Sequence, residues 1–199
     1  MKTKSSTFRL AYLAMLTALV IVLQIISTFS KTLFPFFPFE ISLALMPIVL
    51  GAITISPYAG AWLGFVCSIC VLLSPNTAAF LTVNPFGTIV TVILKGALCG
   101  LAAGLVFNIL RKLNKYVAVI VAAVICPLVN TGIFILGTLV FFWDTISEWA
   151  LATGSTDTWG FLIFGMIGVN FLVEFAVNTV LSPIIYRIMN VSKLDRFLK

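Results

Sequence analysis

Histidine is missing from this 199-residue chain altogether, which removes the commonest metal ligand and the side chain best suited to proton transfer near neutral pH. Charge is nearly as scarce. Charged residues make up 9% of the chain, and between Thr32 and Leu110 only Glu40 and Lys95 carry any. No G-x-x-x-x-G-K-[ST] run occurs, so the chain does not hydrolyse ATP through a P-loop. G-x-S-x-G, H-E-x-x-H and paired acidic motifs are also missing, which argues against a membrane enzyme built on a dyad or a metal. No filter-like loop or charged ring suggests an ion channel, and no internal repeat suggests a carrier built from inverted halves. Cysteine is limited to Cys67, Cys70, Cys99 and Cys126, all inside apolar runs. They read as small buried residues rather than metal or redox ligands. Neither a metal nor another cofactor is expected.

What the chain has in abundance is apolar surface. Hydrophobic residues make up 61% of it and the mean hydropathy is +1.19. A soluble domain of this size could not hide so much, whereas a bilayer needs it, at about 20 residues per spanning helix. The apolar runs lie near 8–30, 41–55, 58–74, 84–110, 116–142 and 160–188. They predict an all-α integral membrane bundle of six transmembrane helices, forming a single membrane domain over 1–199. The first run resembles a signal peptide, but it is too long and lacks a small-residue cleavage site, so it is expected to be a retained span. Pro35 and Pro38 break the chain between the first two runs, where Phe34, Phe36, Phe37 and Phe39 favour the membrane interface. Segments 75–83 and 143–159 are expected as loops.

Basic residues fix the expected orientation. With six spans and the N-terminus inside, Lys2, Lys4, Arg9, Arg111, Lys112, Lys115, Arg187, Lys193, Arg196 and Lys199 all fall on the cytoplasmic side. Only Lys31 lies outside, and Lys95 lies within the membrane. Both termini are therefore expected to be cytoplasmic. The net charge of +6 then reflects anchoring rather than nucleic-acid binding, since no soluble basic face exists.

Ionisable groups inside a bilayer are costly and usually mark function. Asn84, Thr88, Thr91 and Lys95 fall at i, i+4, i+7 and i+11, on one helical face. Asn170, Glu174 and Asn178 make a second stripe, and Asn130 sits in mid-span between them. At about 1.5 Å per residue, Lys95, Asn130 and Glu174 lie roughly 16, 18 and 21 Å below the outer helix ends. Two readings stay open: a ligand pocket entered from outside, or a Lys95–Glu174 pair that locks the bundle with asparagine hydrogen bonds. Gly96, Gly100 and Gly104, with Gly60 and Gly64, read as close helix packing. Ala11, Ala14 and Ala18 give the first helix a flat face for a neighbouring helix.

Several segments together resemble the substrate-binding S component of an energy-coupling factor (ECF) vitamin transporter. They are Ala14-x-x-x-Ala18, the segment 46–53 (MPIVLGAI), 57–64 (PYAGAWLG), 84–86 (NPF), 95–100 (KGALCG) and 129–131 (VNT). Segments 46–53, 84–86 and 129–131 look closest to pantothenate-type members, with riboflavin-type members as the alternative. The resemblance implies a high-affinity vitamin-capture subunit in a bacterial plasma membrane, without enzymatic activity. It implies partnership with a transmembrane coupling protein and two cytoplasmic ATPases. Ala11, Ala14 and Ala18 would face the coupling protein, and Phe36, Phe37 and Phe39 would belong to a lid. Asn84, Thr88, Thr91, Lys95, Asn130, Asn170 and Glu174 are the expected substrate contacts. Lys95 stands where many members carry Arg, so it would pair with a carboxylate as a point charge. A scaffold protein and a lipid-acting membrane enzyme are the readings from other classes.

Overall fold

The computed structural model describes residues 2–33 and 43–191, and these are helical with no strand among them. The elements are α1 (Lys2–Leu33), α2 (Leu45–Thr54), α3 (Pro57–Leu72), α4 (Pro75–Val83), α5 (Pro85–Leu110), α6 (Lys115–Phe141), α7 (Trp143–Ala152), α8 (Thr158–Gly160), a π-helical stretch over Phe161–Gly168, and α9 (Val169–Val191). Four segments are long and apolar enough to cross a bilayer: Thr7–Phe29, Pro85–Leu110, Lys115–Phe141 and Thr158–Met189. A fifth span is available if α3 and α4, which meet at 79°, act as one broken span. The chain is thus a multi-pass membrane protein with four or five candidate spans. α2, where a sixth was expected, has 10 helical residues and reaches only about 15 Å.

α2 is nevertheless the centre of the bundle. Leu45 and every residue from Pro47 to Ile53 are buried, the mark of a helix enclosed on all sides. Around it pack Leu16 and Val20 of α1, Leu63 and Cys67 of α3, Cys99, Ala103 and Phe107 of α5, and Ala118, Val119, Ala122, Ala123 and Cys126 of α6. Cys67, Cys99 and Cys126 are small buried residues, as expected, whereas Cys70 is only half-buried; Cys67 also donates to Gln24 Oε1 of α1 at 3.4 Å.

Glycine brings α3 and α5 into backbone contact. A Cβ on Gly60 would lie 2.6 Å from the Gly100 carbonyl oxygen, and one on Gly64 would overlap the Gly96 carbonyl. Ser68 Oγ closes this seam by donating to the Val92 carbonyl at 2.7 Å. The expected glycine packing is therefore present, and it sets α5, with its polar stripe, rigidly against α3.

Two segments expected as loops are helical. Pro75 starts α4 in a position where a missing N–H costs nothing, and Thr77 Oγ1 ties it to the Val71 carbonyl at 2.7 Å. α7 folds because Ile146 and Ala150 form a buried stripe, one that three tryptophans and scattered acids obscured in the sequence. The last apolar run begins with the π-helical turns over Phe161–Gly168. Gly165 and Gly168 fall within this stretch, and π turns in helices frequently accompany functional sites.

Candidate functional site

Six of the seven expected substrate contacts gather around two adjoining cavities on the α7 side of the bundle. The first, of about 210 Å³, is lined by Ser74, Thr77 and Phe80 at α4, Thr88, Thr91 and Lys95 of α5, Thr138 of α6, and Asn170 of α9, among others. The second, of about 140 Å³, is lined by Lys95, Asn130, Thr131, Asn170 and Glu174. Lys95, Phe134, Met166 and Asn170 belong to both walls. Thus Lys95 faces both chambers, whereas Glu174 lines only the smaller one.

The chambers differ in chemistry. The larger combines hydroxyl groups with an aromatic wall: Phe80 meets Phe134, Phe142 and Trp149 edge-on, at centroid distances of 6.2, 5.3 and 5.3 Å. Thr88 Oγ1 is engaged by its own helix, donating to the Asn84 carbonyl at 2.8 Å. Thr91 and Thr138 differ from it. They are 5% and 1% exposed, yet neither Oγ1 has a hydrogen-bond partner among the described residues. A buried hydroxyl left unpaired costs about 1–3 kcal/mol, which a ligand supplying donors and acceptors would recover. Their closeness has a local cause: α6 carries Gly137 against Thr91, where any Cβ would overlap the threonine side chain.

Lys95 is held by an aromatic ring. Its Nζ lies 5.2 Å from the centroid of Phe134, an arrangement that stabilises a cation without neutralising it. The smaller chamber gathers amide and acid groups from α6 and α9. One turn beyond it, Asn178 is 1% exposed and donates from Nδ2 to the Glu174 carbonyl at 2.9 Å. It therefore supports that helix rather than lining either chamber.

Asn84 is the expected contact that does not join the cavities. Its side chain accepts from Gly87 N–H at 2.9 Å and caps α5. Asparagine at this position satisfies an orphan donor, and the helical face it was assigned to begins only after it. Phe36, Phe37 and Phe39, the expected lid, lie outside the described residues. Ala11, Ala14 and Ala18 are exposed along α1, flanked by exposed Met15 and Leu19.

The residues missed by sequence reasoning are chiefly Ser74, Thr77, Phe80, Thr131, Phe134 and Thr138. Asn130, Phe134 and Thr138 recur every fourth residue, so the α6 stripe could have been found. Those at α4 could not, because their placement depends on the sharp turn after α3. A larger cavity, of about 480 Å³, lies at the opposite end around Arg111, Lys112 and Lys115, and none of the expected substrate contacts lines it. No group of three or more potential metal ligands occurs among the described residues.

Comparison with known proteins identifies the family. The family model described as ECF transporter, substrate-specific component, covers residues 8–186. No curated protein and no solved structure gives a match.

Proposed function

The chain belongs to the ECF transporter substrate-specific component family, and from that premise we propose that it captures pantothenate, with Lys95 receiving the vitamin's carboxylate. Membership makes it the substrate-capture subunit of an ECF transporter, a membrane protein that works with an ECF module and not as an enzyme. The scaffold and lipid-enzyme readings are set aside on that ground.

The observation that carries the pantothenate reading is the position of Lys95. It is the cation at the junction of the two chambers, and the hydroxyl-rich chamber sees it without Glu174. A ligand with a carboxylate, an amide and hydroxyl groups has a counterpart for each: Lys95, the amides of Asn130 and Asn170, and the free hydroxyls of Thr91 and Thr138. That the hydroxyl-rich chamber reaches Lys95 without Glu174 supports a pocket over a Lys95–Glu174 lock. Riboflavin remains the second reading because of the wall formed by Phe80, Phe134 and Phe142, against which a flat ring system could pack.

We further infer six spans with both termini cytoplasmic in a bacterial plasma membrane. In this arrangement α2 belongs to the second span, and α3 with α4 makes the third. The exposed alanine face of α1 supports the coupling-protein contact at Ala11, Ala14 and Ala18. Phe36, Phe37 and Phe39, outside the described residues, are retained as the proposed lid.

The test is a titration of the purified chain with pantothenate, riboflavin, folate, thiamine and pyridoxine, following tryptophan fluorescence and thermal unfolding. A ligand that binds only the folded state must raise the unfolding temperature. Submicromolar binding of pantothenate alone is the expected result. Binding of riboflavin in its place would transfer the assignment to the aromatic wall, and binding of none would remove the vitamin reading.

A further inference from the structure

The cavity at the other end of the bundle has no part in the substrate reading. It measures about 480 Å³ and lies where α2 ends and α5 turns into α6. Arg111, Lys112 and Lys115 form one side, and no acidic residue occurs among the described residues lining it. Its floor is apolar, with Phe107 and Met189 only 3% and 4% exposed. Asn108 and Ser56 add polar groups between floor and rim.

The bias of basic residues toward one side of a membrane explains cations in this turn, but it does not require a cavity behind them. Helix ends do not decide the sign of the charge preferred here either. α3 and α6 start at this level while α2 and α5 end at it, so their opposed dipoles largely offset one another. The preference for an anion therefore rests on the side-chain cations. In and beside this turn of the chain, Ile109, Leu113 and Val117 are exposed, and Tyr116 packs edge-on against Tyr186 at 5.1 Å. Apolar and tyrosine side chains beside cations at a helix end mark the level of lipid headgroups.

We propose that this cavity binds the phosphate of an anionic phospholipid, with Arg111 and Lys112 holding the headgroup and the Phe107–Met189 floor receiving the start of an acyl chain. Basic pockets between spanning helices are suited to such headgroups. A free phosphate would have the same charge complementarity but would leave the apolar floor uncovered.

The test uses the full chain purified in a neutral detergent. Retention of phosphatidylglycerol is compared with that of phosphatidylcholine of the same acyl chains by native mass spectrometry. Phosphatidylglycerol should be retained preferentially. Its retention should weaken by roughly 5-fold for each neutralised cation, so about 25-fold in the Arg111→Gln/Lys112→Gln variant. The charge-preserving Arg111→Lys/Lys112→Arg variant should keep the preference, and carries the test together with the wild type if the neutral variant fails to fold. Equal retention of the two lipids overturns the proposal. So does an unchanged preference in the folded neutral variant, or displacement of phosphatidylglycerol by inorganic phosphate at matching concentration. Vitamin affinity is not part of the readout, so failure here leaves the substrate reading untouched.

Discussion

Replacing Lys95 by Met separates a ligand contact from a structural lock. The substitution removes the ammonium but leaves an unbranched side chain against Phe134. In the ligand-free protein it forfeits a cation–π contact of about 0.5–2 kcal/mol. A sulfur–aromatic contact of about 0.3–1.5 kcal/mol takes its place, so folding stability should change by about 0.3 kcal/mol at mid-range and by no more than about 2 kcal/mol at the extremes. The bound state loses more. A hydrogen bond to a charged group contributes about 1.5–3 kcal/mol, which corresponds to roughly 10- to 150-fold in Kd. Fluorescence is a suitable assay because Trp149 lies 5.3 Å from Phe80, and Phe80 lines the larger chamber. Pantothenate titration should give a Kd raised within that range, with the unfolding temperature of the free protein nearly unchanged. Lys95→Arg should retain most of the affinity, since the charge persists. Unaltered affinity in Lys95→Met would refute the carboxylate assignment. Loss of the folded state would instead establish that Lys95 holds the bundle together.

Four further substitutions test the surroundings of that site. Gly64→Ala drives a methyl group into the Gly96 carbonyl and should cost about 1–3 kcal/mol in a thermal-unfolding measurement. Gly132→Ala, whose Cβ meets nothing within 4 Å, should instead be neutral or stabilising by about 0.5–1 kcal/mol; equal effects would show that the glycine seam is not what fixes α3 against α5. Thr91→Val removes a buried hydroxyl without a partner among the described residues, so the free protein should be as stable or more stable. Its ligand affinity should fall by roughly 3- to 10-fold if the ligand supplies that partner, at about 0.5–1.5 kcal/mol per hydrogen bond; unchanged calorimetric affinity would remove Thr91 from the site. Asn84→Ala should cost about 1 kcal/mol of stability through the lost cap while leaving ligand affinity unchanged. A large affinity loss at constant stability would return Asn84 to the binding surface.

Why some of the site was legible and some was not follows from the range of the interactions. The stripe Thr88, Thr91, Lys95 was readable because helical periodicity alone places those residues on one face. Asn170 and Glu174 followed from the same rule. Asn84 lines neither chamber because it sits at the helix boundary, where its side chain turns back to cap the backbone. Ser74, Thr77 and Phe80 were beyond reach because the 79° bend between α3 and α4 delivers them to the cavity.

By itself the sequence determined the solvent of this protein. So much apolar surface with so little charge has no soluble solution, and helices alone satisfy their backbone within a single segment in lipid. It also pointed to close helix packing at Gly60, Gly64, Gly96, Gly100 and Gly104, since only small residues allow that approach, while the pairing of Gly60 with Gly100 and Gly64 with Gly96 came from the structure. Tertiary structure alone decided that α2, short as it is, forms the centre of the bundle. It also decided that the polar stripes of α5, α6 and α9 meet across two chambers instead of facing different neighbours. Periodicity fixes which side of a helix is polar, whereas the partner for that side is set by how all the helices share the available contact surface, and that is a property of the whole bundle.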